Sequence, residues 1–129
     1  MKRVIAVILA CAILISVAFA LPSGDSIMPR TGFFNSEVKV ASGETWTSSR
    51  YEITGAYENV FISADLIKGS NVTVELYGAN ATSTNGVKVG SIAAGNSNVL
   101  KVKRNYAYYF FKVINNSSAS ATTVIMLYA

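Results

Sequence analysis

Histidine is absent from this 129-residue sequence, and its single cysteine, Cys11, lies in an apolar stretch at the N-terminal end. Beyond that stretch the chain has neither an imidazole nor a thiol. This excludes Ser-His-Asp and Cys-His nucleophiles, thiol redox chemistry, structural zinc sites and disulfide scaffolds. These absences predict a protein that is not an enzyme and that uses no cofactor.

Charge is also scarce, at 14% of residues. Asp25 and Asp65 are isolated rather than part of an acidic loop, so we expect no calcium site and no other metal. No spacing among the seven acidic residues requires two carboxylates to meet, as a glycosidase would need. Two of the four net positive charges come from Lys2 and Arg3. The remainder is nearly neutral, which argues against a nucleic-acid partner.

The first 20 residues have the pattern of a secretory signal peptide. Lys2 and Arg3 precede an apolar run from 4 to 19, and Ala18-Phe19-Ala20 matches a signal-peptidase site. We therefore predict cleavage after residue 20 and a secreted, extracellular or cell-surface location. One alternative is a retained leader that anchors the chain in a membrane, since about 17 apolar residues are the lower limit for a span. The other is a lipoprotein site at 8–11, with Cys11 acylated.

Residues 21–36 contain both prolines of the chain and show no steady apolar period. This composition predicts an extended arm or linker ahead of the folded domain. Ile27, Met28, Phe33 and Phe34 are apolar anchors that could pack against an exposed strand edge, in the same subunit or in a neighbour. The competing interpretation is a tether that holds the domain away from a surface.

From Glu37 onward the chain alternates short β-rich segments with clusters of Gly, Ser and Asn, which is the pattern of an all-β domain. Asn85-Gly86 is a hairpin turn signal. We predict a single antiparallel β-sandwich over 37–129, jelly-roll-like, with an open barrel as the alternative. The predicted strands are 37–40, 45–53, 60–66, 72–77, 87–92, 98–103, 106–114 and 122–128.

The last two predicted strands are apolar on both faces, whereas a two-layer sandwich needs only one apolar face per strand. In 106–114, Tyr106, Tyr108 and Phe110 oppose a second apolar set, and in 122–128, Ile125 and Leu127 do the same. We expect the extra face to be covered by a partner subunit, a ligand, a membrane surface or the folded-back arm. The predicted self-association interface comprises Phe33, Phe34, Tyr106, Tyr108, Phe110, Ile125 and Leu127.

Two further groups of surface residues each have two interpretations. Trp46 and Tyr51 lie among Thr and Ser residues, and an exposed aromatic platform of this kind would stack on a sugar ring. The competing interpretation is that Trp46 is a core residue. Lys101, Lys103 and Arg104 would either contact an anionic polymer or protect an edge strand from unwanted pairing.

Four asparagines match the N-glycosylation sequence N-x-[ST]: Asn71, Asn80, Asn115 and Asn116. All four lie at predicted strand ends or in loops, where a glycan fits. Turn formation by Asn and Ser explains the same residues without a glycan.

Three segments have the composition typical of small secreted β-sandwich modules. They are TWTSSRYEI at 45–53, VTVELYG at 72–78 and YAYYFFKVINNSS at 106–118. In this respect the domain resembles jelly-roll modules of surface proteins and donor-strand filament subunits, without belonging to a specific family. In such filaments an N-terminal arm completes the sheet of the next subunit, and residues 21–36 match that arm in position. The resemblance therefore implies a subunit that assembles through its arm.

These observations predict a non-enzymatic structural protein that self-assembles as a filament, sheath or appendage subunit. Its contacts would be the N-terminal arm and the last two strands. The alternative function is adhesion, through a module that binds a carbohydrate or another surface polymer. A membrane contact is expected only through an uncleaved leader.

Overall fold

The structure, a computed structural model, describes residues 31–96 and 98–129. The predicted leader, Cys11 and most of the arm lie outside these residues. The described residues form strands, turns and loops, and the strands are antiparallel throughout. They are β1 (Gly32–Val40), β2 (Thr45–Thr47), β3 (Tyr51–Glu52), β4 (Asn59–Lys68), β5 (Val72–Ala79), β6 (Val87–Ala93), β7 (Asn98–Lys103), β8 (Tyr108–Asn115) and β9 (Ala121–Tyr128).

The strands make two sheets that pack face to face. The first sheet has the order β1-β9-β4-β7, and the second has the order β2-β8-β5-β6, with β3 also paired to β8. If β2 and β3 are counted as one interrupted strand, each sheet has four strands. The chain crosses between the sheets at every connection except the hairpin from β5 to β6, which is a jelly-roll arrangement. The predicted all-β, antiparallel class is therefore confirmed.

One core fills the space between the sheets. Its largest fully buried side chains come from the central strands of both sheets. These side chains lie in the core because every second side chain along a strand points inward. The largest of them are Tyr109, Phe111, Ile62, Leu76, Ile125 and Leu127.

The first strand begins earlier than the sequence pattern predicts. Residues 32–36 pair with the end of β9, from Gly32 opposite Tyr128 to Ser36 opposite Ile125, with an irregularity between Gly32 and Phe34. The predicted arm therefore ends before residue 32, and its last five residues belong to the sheet. Main-chain hydrogen bonds form this part of the strand, so its irregular side-chain pattern did not reveal it.

The predicted strand 45–53 is interrupted at Ser48. The Ser48 amide donates to the Phe111 carbonyl (2.9 Å), but the Phe111 amide donates to the Ser48 hydroxyl (2.9 Å) instead of to a carbonyl. A side-chain oxygen thus takes the place of a ladder acceptor, and the regular strand pairing is interrupted at this point. The hairpin predicted from Asn85-Gly86 is present between β5 and β6, but its turn lies at Thr82 and Ser83. Gly86, at a φ of 79°, ends the connection just before β6.

Candidate functional site: the outward face of the first sheet

The side of the first sheet that points away from the core carries an apolar strip. Its centre is β9, where Val124, Met126 and Tyr128 alternate with the core residues Ile125 and Leu127. Val124 is only 1% exposed although it points outward. Such burial is typical of a core position rather than of the wetted face of a two-layer sandwich.

Side chains of the neighbouring strands extend this strip across the sheet. Tyr128 lies opposite Phe61 of β4, and their rings stack with centroids 5.1 Å apart. Met126 lies opposite the buried Ser63 of β4. Val99 of β7, opposite Ser63 on the far side, is 50% exposed. The face thus presents a continuous band that is mostly apolar.

Carboxylates flank the buried valine of this face. Glu37 of β1 and Asp65 of β4 are the residues directly opposite Val124 on its two sides. The Glu37 side chain is 10% exposed, and its Oε1 lies 3.6 Å from the Nζ of the exposed Lys39. The centre of the strip is therefore apolar, with acidic groups on both sides.

Two acceptor atoms on this face lack hydrogen-bond partners among the described residues. They are Asn35 Oδ1 and Glu37 Oε2, and both are withdrawn from solvent. Buried polar atoms in folded proteins nearly always have a partner, because leaving one unpaired costs about 1–3 kcal/mol. Asn35 and Glu37 are two residues apart on one strand, so both atoms need a donor on the same side of the sheet.

The chain enters the domain at one end of this face. Thr31 continues the β1 ladder, since its amide donates to the Ala129 carbonyl and its carbonyl accepts from the Ala129 amide, each at 3.0 Å. The Thr31 hydroxyl also contacts the hydroxyl of Tyr57. These contacts hold the start of the domain against its last residue.

The outward face of the second sheet is built differently. Tyr77 of β5 stacks on Phe110 of β8 with centroids 5.1 Å apart. Cations lie over both rings: Arg50 is 4.7 Å from the centroid of Phe110, and Lys112 is 4.8 Å from that of Tyr77. Interactions of this kind shield the aromatic faces from water.

A carboxylate completes this second outward face. The Tyr77 hydroxyl donates to Glu75 Oε1 (2.7 Å), and Lys88 Nζ lies 3.2 Å from Glu75 Oε2. The hydrogen bond from Tyr77, followed by the interaction with Lys88, holds the pKa of Glu75 below its usual range. The same hydrogen bond raises the pKa of Tyr77.

The structure corrects the predicted interface on the last strand. Ile125 and Leu127 are fully buried in the core between the sheets, so they are not available to a partner. Both sets of alternating residues on β9 are apolar, and the sequence pattern does not show which set points inward. The outward set is Val124, Met126 and Tyr128.

The aromatic residues predicted on β8 do not form one exposed face. Tyr106 precedes the strand and packs edge-on against Tyr109, with centroids 6.1 Å apart. Phe110 points outward but is 4% exposed, because Arg50 and Tyr77 cover it. The expectation that Phe110 needs an external partner is therefore wrong. Tyr108 is half-buried at the start of β8, and its role in an interface stays a prediction.

Phe33 and Phe34 both pack against the core of their own chain. The ring of Phe34 lies 5.1 Å from that of Phe111, edge-on. The structure thus brings these two residues together in β1, while Ile27 and Met28 lie outside the described residues. Whether Phe33 also contacts a partner stays a prediction.

The predicted sugar platform is also corrected. The Trp46 ring lies 6.0 Å from that of Phe34 and 5.7 Å from that of Phe111, and Tyr51 lies 6.2 Å from Phe34. These rings close the open side of the sandwich between β1 and β2. Burial there raises the pKa of Tyr51. Their faces are engaged with each other, so they do not form a flat exposed surface.

The four predicted glycosylation sites differ in accessibility. Asn115 is 1% exposed, and its Nδ2 donates to the carbonyls of Val40 (3.0 Å) and Ala119 (2.7 Å). That nitrogen is the atom a glycan would occupy, so Asn115 is wrong as a glycosylation site. Asn71, Asn80 and Asn116 are exposed, and their modification stays a prediction.

The remaining predictions concern charge, metals and membranes. Lys101 and Lys103 are exposed on β7, an edge strand of the first sheet, and Arg104 donates to the carbonyl of Gly55 (2.6 Å). Within 31–96 and 98–129, no group of three or more potential metal ligands occurs. Over the same ranges, no helix is long and apolar enough to cross a membrane.

Sequence reasoning missed the site residues Asn35, Glu37, Val124 and Met126. Alternation placed Val124 and Met126 on one face of β9. Because both faces of this strand are apolar, alternation did not show which face points outward. Asn35 and Glu37 fell at the boundary between the predicted arm and the domain. The buried, unpaired acceptors of these two residues become visible only when β1 is paired with β9.

Comparison with known proteins gives similarity in structure only. No protein-family model matches the sequence, and no curated protein matches it. The structure is similar to the crystal structure of PirA, with a TM-score of 0.50 and 13% identity, covering 74% of this chain and 94% of PirA. At this identity the likeness supports the fold alone.

A second similar structure is a protein from the disulfide-linked pili formed by Bacillus endospore appendages. Its TM-score is 0.38 and its identity 7%, covering 81% of this chain and 92% of the pilus chain. These comparisons show no specific family. The low TM-score gives no support to a shared function.

Proposed function

We propose that this protein is a non-enzymatic, extracellular structural subunit that assembles with copies of itself. The observation that carries the proposal is the outward face of the first sheet. It has a buried valine at its centre and two buried acceptors without partners among the described residues. A face with these properties fits the interior of a protein–protein contact better than a surface exposed to water.

The proposed assembly uses the segment that precedes Thr31. The jelly roll has four strands in each sheet, so the domain does not require residues 21–30 to complete its core. In the mature chain that would begin at Leu21, these ten residues would serve as the connector. The secretion signal predicted at residues 1–20 supplies the extracellular location of the proposal.

The structure shows where a deletion that tests this function should end. Deleting the whole predicted arm, 21–36, would remove half of β1 and destabilise the sheet. The deletion should therefore end at residue 30, which keeps the pairing of Thr31 with Ala129. We expect the chain 21–129 to form oligomers or fibres by light scattering and negative-stain microscopy, and the chain 31–129 to remain a folded monomer.

A matched control keeps the length of the connector. The variant with Ile27→Ser and Met28→Ser retains ten residues before Thr31 but loses two apolar anchors, so we expect it to assemble weakly. Circular dichroism of all three chains checks that the domain is folded. A strictly monomeric chain 21–129 at high protein concentration would overturn the proposed function.

The alternative function, binding of a glycan through Trp46 and Tyr51, has no observation in its favour. Their rings pack on Phe34 at the side of the sandwich. On the second sheet, cations occupy positions over both stacked rings, where a sugar would otherwise lie. We therefore propose no second function.

A further inference from the structure

We propose that residues 23–28 of a second copy of this chain pair, as an added strand, with the outer edge of β7. This inference rests on the proposed function and identifies the receiving strand. Among the described strands, β7 is the last of the first sheet and pairs on one side only, with β4. The other side of such an edge strand can accept an extended segment of another chain through main-chain hydrogen bonds.

The main-chain groups of β7 point alternately to β4 and to the outer edge. The Arg104 amide donates to the Glu58 carbonyl (2.8 Å), and β7 pairs with β4 in a continuous register from there on. In an antiparallel ladder, every second residue bonds to the same neighbouring strand. The N–H and C=O groups of Val99, Lys101 and Lys103 therefore point away from β4, towards an added strand.

The other edge strands within 31–96 and 98–129 are less suited to pairing. β6 contains a bulge at Val89, β1 has an irregularity between Gly32 and Phe34, and β2 and β3 have three and two residues. Bulges and short strands are features that prevent edge pairing. In contrast, β7 is regular over its six residues, and Val99 on it is 50% exposed.

Two prolines set the length and the register of the added strand. Proline lacks an N–H, and Pro22 and Pro29 enclose the segment SGDSIM, which is as long as the six-residue β7. Antiparallel pairing with matched ends places Ser23 opposite Lys103 and Met28 opposite Asn98. Both prolines then lie outside the paired residues, so every residue of the added strand retains its N–H.

This register brings complementary side chains together on the outward face of the first sheet. Asp25 lies opposite the exposed Lys101, and Ile27 lies opposite Val99 and covers the exposed end of the apolar strip. Directly opposite residues share one face of a sheet, where opposite charges attract and like charges repel. The lysines of β7 thus favour a strand that carries a carboxylate over a second β7.

The other face of the added strand turns towards β6, where little space remains. A Cβ atom at Gly90 of β6 would lie 2.9 Å from Leu100 Cδ2, so the two sheets approach each other closely beside β7. In the proposed register, Ser26 lies opposite Leu100 and Gly24 lies opposite Val102. Small side chains at these two positions fit the narrow space.

The reach of the chain excludes pairing of the segment with its own β7. Two hydrogen bonds between Thr31 and Ala129 hold the end of the segment at β1. A strand added to β7 lies four strand spacings from β1, about 19 Å, whereas the chain from Met28 to Thr31 spans at most about 11 Å. The added strand therefore belongs to a second copy. Because the donating and receiving surfaces differ, the contact propagates into a ring or a filament.

The first test blocks the outer edge and leaves the ladder with β4 intact. Lys101→Pro removes an N–H that points away from β4, and edge strands tolerate proline at such positions. Ser91→Pro is the matched control, because Ser91 is exposed on β6 and its N–H points away from β5. We expect Lys101→Pro to weaken assembly of the chain 21–129 by about tenfold or more and Ser91→Pro to leave it unchanged. Circular dichroism checks that both variants are folded.

The second test exchanges the charges of the proposed pair. Lys101→Glu and Asp25→Lys each place like charges opposite one another, so each should weaken assembly by about threefold or more. The double variant has the net charge of the unmodified chain and restores an attractive pair, so it should recover most of the loss. Losses that simply add in the double variant would overturn the register.

A disulfide tests the register and the second copy together. The chain 21–129 contains no cysteine, so Ile27→Cys with Val99→Cys introduces the only two thiols. Their Cα atoms would lie about 5.5 Å apart, which a disulfide spans, and oxidation should give a ladder of covalent oligomers on a non-reducing gel. Ile27→Cys with Lys103→Cys, displaced by about 14 Å, is the control and should give no ladder. An intramolecular disulfide, no disulfide, or equal ladders from both variants would overturn the proposed pairing.

Failure of this inference is distinguishable from failure of the proposed function. If the chain 21–129 assembles and folded Lys101→Pro assembles as well as Ser91→Pro, the receiving strand is wrong while the structural role stands. If the chain 21–129 does not assemble, the proposed function fails first.

Discussion

The outward faces of the two sheets both carry apolar side chains, but the polar groups around these side chains differ. Each central strand, β8 and β9, is apolar on both sides. On the second sheet, Arg50 and Tyr77 cover the outward Phe110, and Glu75 pairs with the hydroxyl of Tyr77. On the first sheet, acceptors of Asn35 and Glu37 lack partners among the described residues.

The difference shows that an apolar outward face is not by itself an interface. The polar groups around the apolar residues determine whether such a face is stable in water. On the second face, cations lie over the rings and the carboxylate has hydrogen-bond partners, so this face is stable in water. On the first face, two buried acceptors have no donor among residues 31–96 and 98–129. Each of the following predictions tests this contrast, from the largest expected effect to the smallest.

Replacing the covered ring of the second sheet should have the largest effect on stability. Phe110→Ala removes a side chain that is 4% exposed and should lower the free energy of unfolding by about 3 kcal/mol. Denaturant unfolding of the chain 31–129 measures this loss, with the half-buried Tyr108→Ala as the control of smaller effect. Loss of assembly in the chain 21–129 without loss of stability would instead make Phe110 an interface residue.

The outward valine of the first sheet should behave as a core residue. Val124 is 1% exposed, so Val124→Ala should cost about 1–2 kcal/mol in the chain 31–129, because the lost methyl groups are already withdrawn from water. Assembly of the chain 21–129 should add little to this cost. Unfolding curves of both chains give the two values, and a cost confined to the chain 21–129 would contradict this prediction.

Removing one hydroxyl should weaken the polar network of the second sheet. Tyr77→Phe keeps the ring stacked on Phe110 but loses the hydrogen bond to Glu75, so it should cost about 1 kcal/mol. The pKa of Glu75 should rise towards its usual range, as a carboxyl titration by NMR would show. An unchanged titration would mean that Lys88 alone lowers the pKa.

The smallest effect concerns pH. Because the pKa of Glu75 is lowered in the folded state, its contribution is complete above the unfolded pKa and is lost as pH falls through the folded pKa. Glu75→Gln should therefore cost less than about 1 kcal/mol near neutral pH and flatten the loss of stability in acid. Assembly should not change, since this carboxylate lies on the second sheet.

Much of the fold follows from local alternation. Predicted strands 72–77, 87–92, 98–103 and 122–128 each agree with the structure within two residues at either end, because residues that favour strands, such as Val and Ile, are frequent there. The start of β1 was missed since main-chain pairing rather than side-chain alternation defines it. The pattern left Trp46 open between an exposed platform and a core position, because its burial depends on Phe34, a neighbour in space from another strand.

The candidate site was less predictable than the fold. The sequence showed that both alternating sets of residues in the last two strands are apolar. It did not show which of the two sets points outward. On β9 the inward set proved to be Ile125 and Leu127, and on β8 the outward Phe110 proved to be covered by its own chain. Asn115 satisfied a glycosylation pattern, yet its amide is buried in a turn that it holds together.

Local sequence thus specifies the β class, the extent of most strands and the lack of imidazole and thiol chemistry beyond the leader. These properties depend on residues close together in the chain. The jelly-roll strand order, the inward side of β9 and the burial of the Asn35 and Glu37 acceptors depend on tertiary structure. They arise from contacts between distant segments, such as β1 with β9, and a strand that is apolar on both sides acquires its orientation only when its neighbours pack against it.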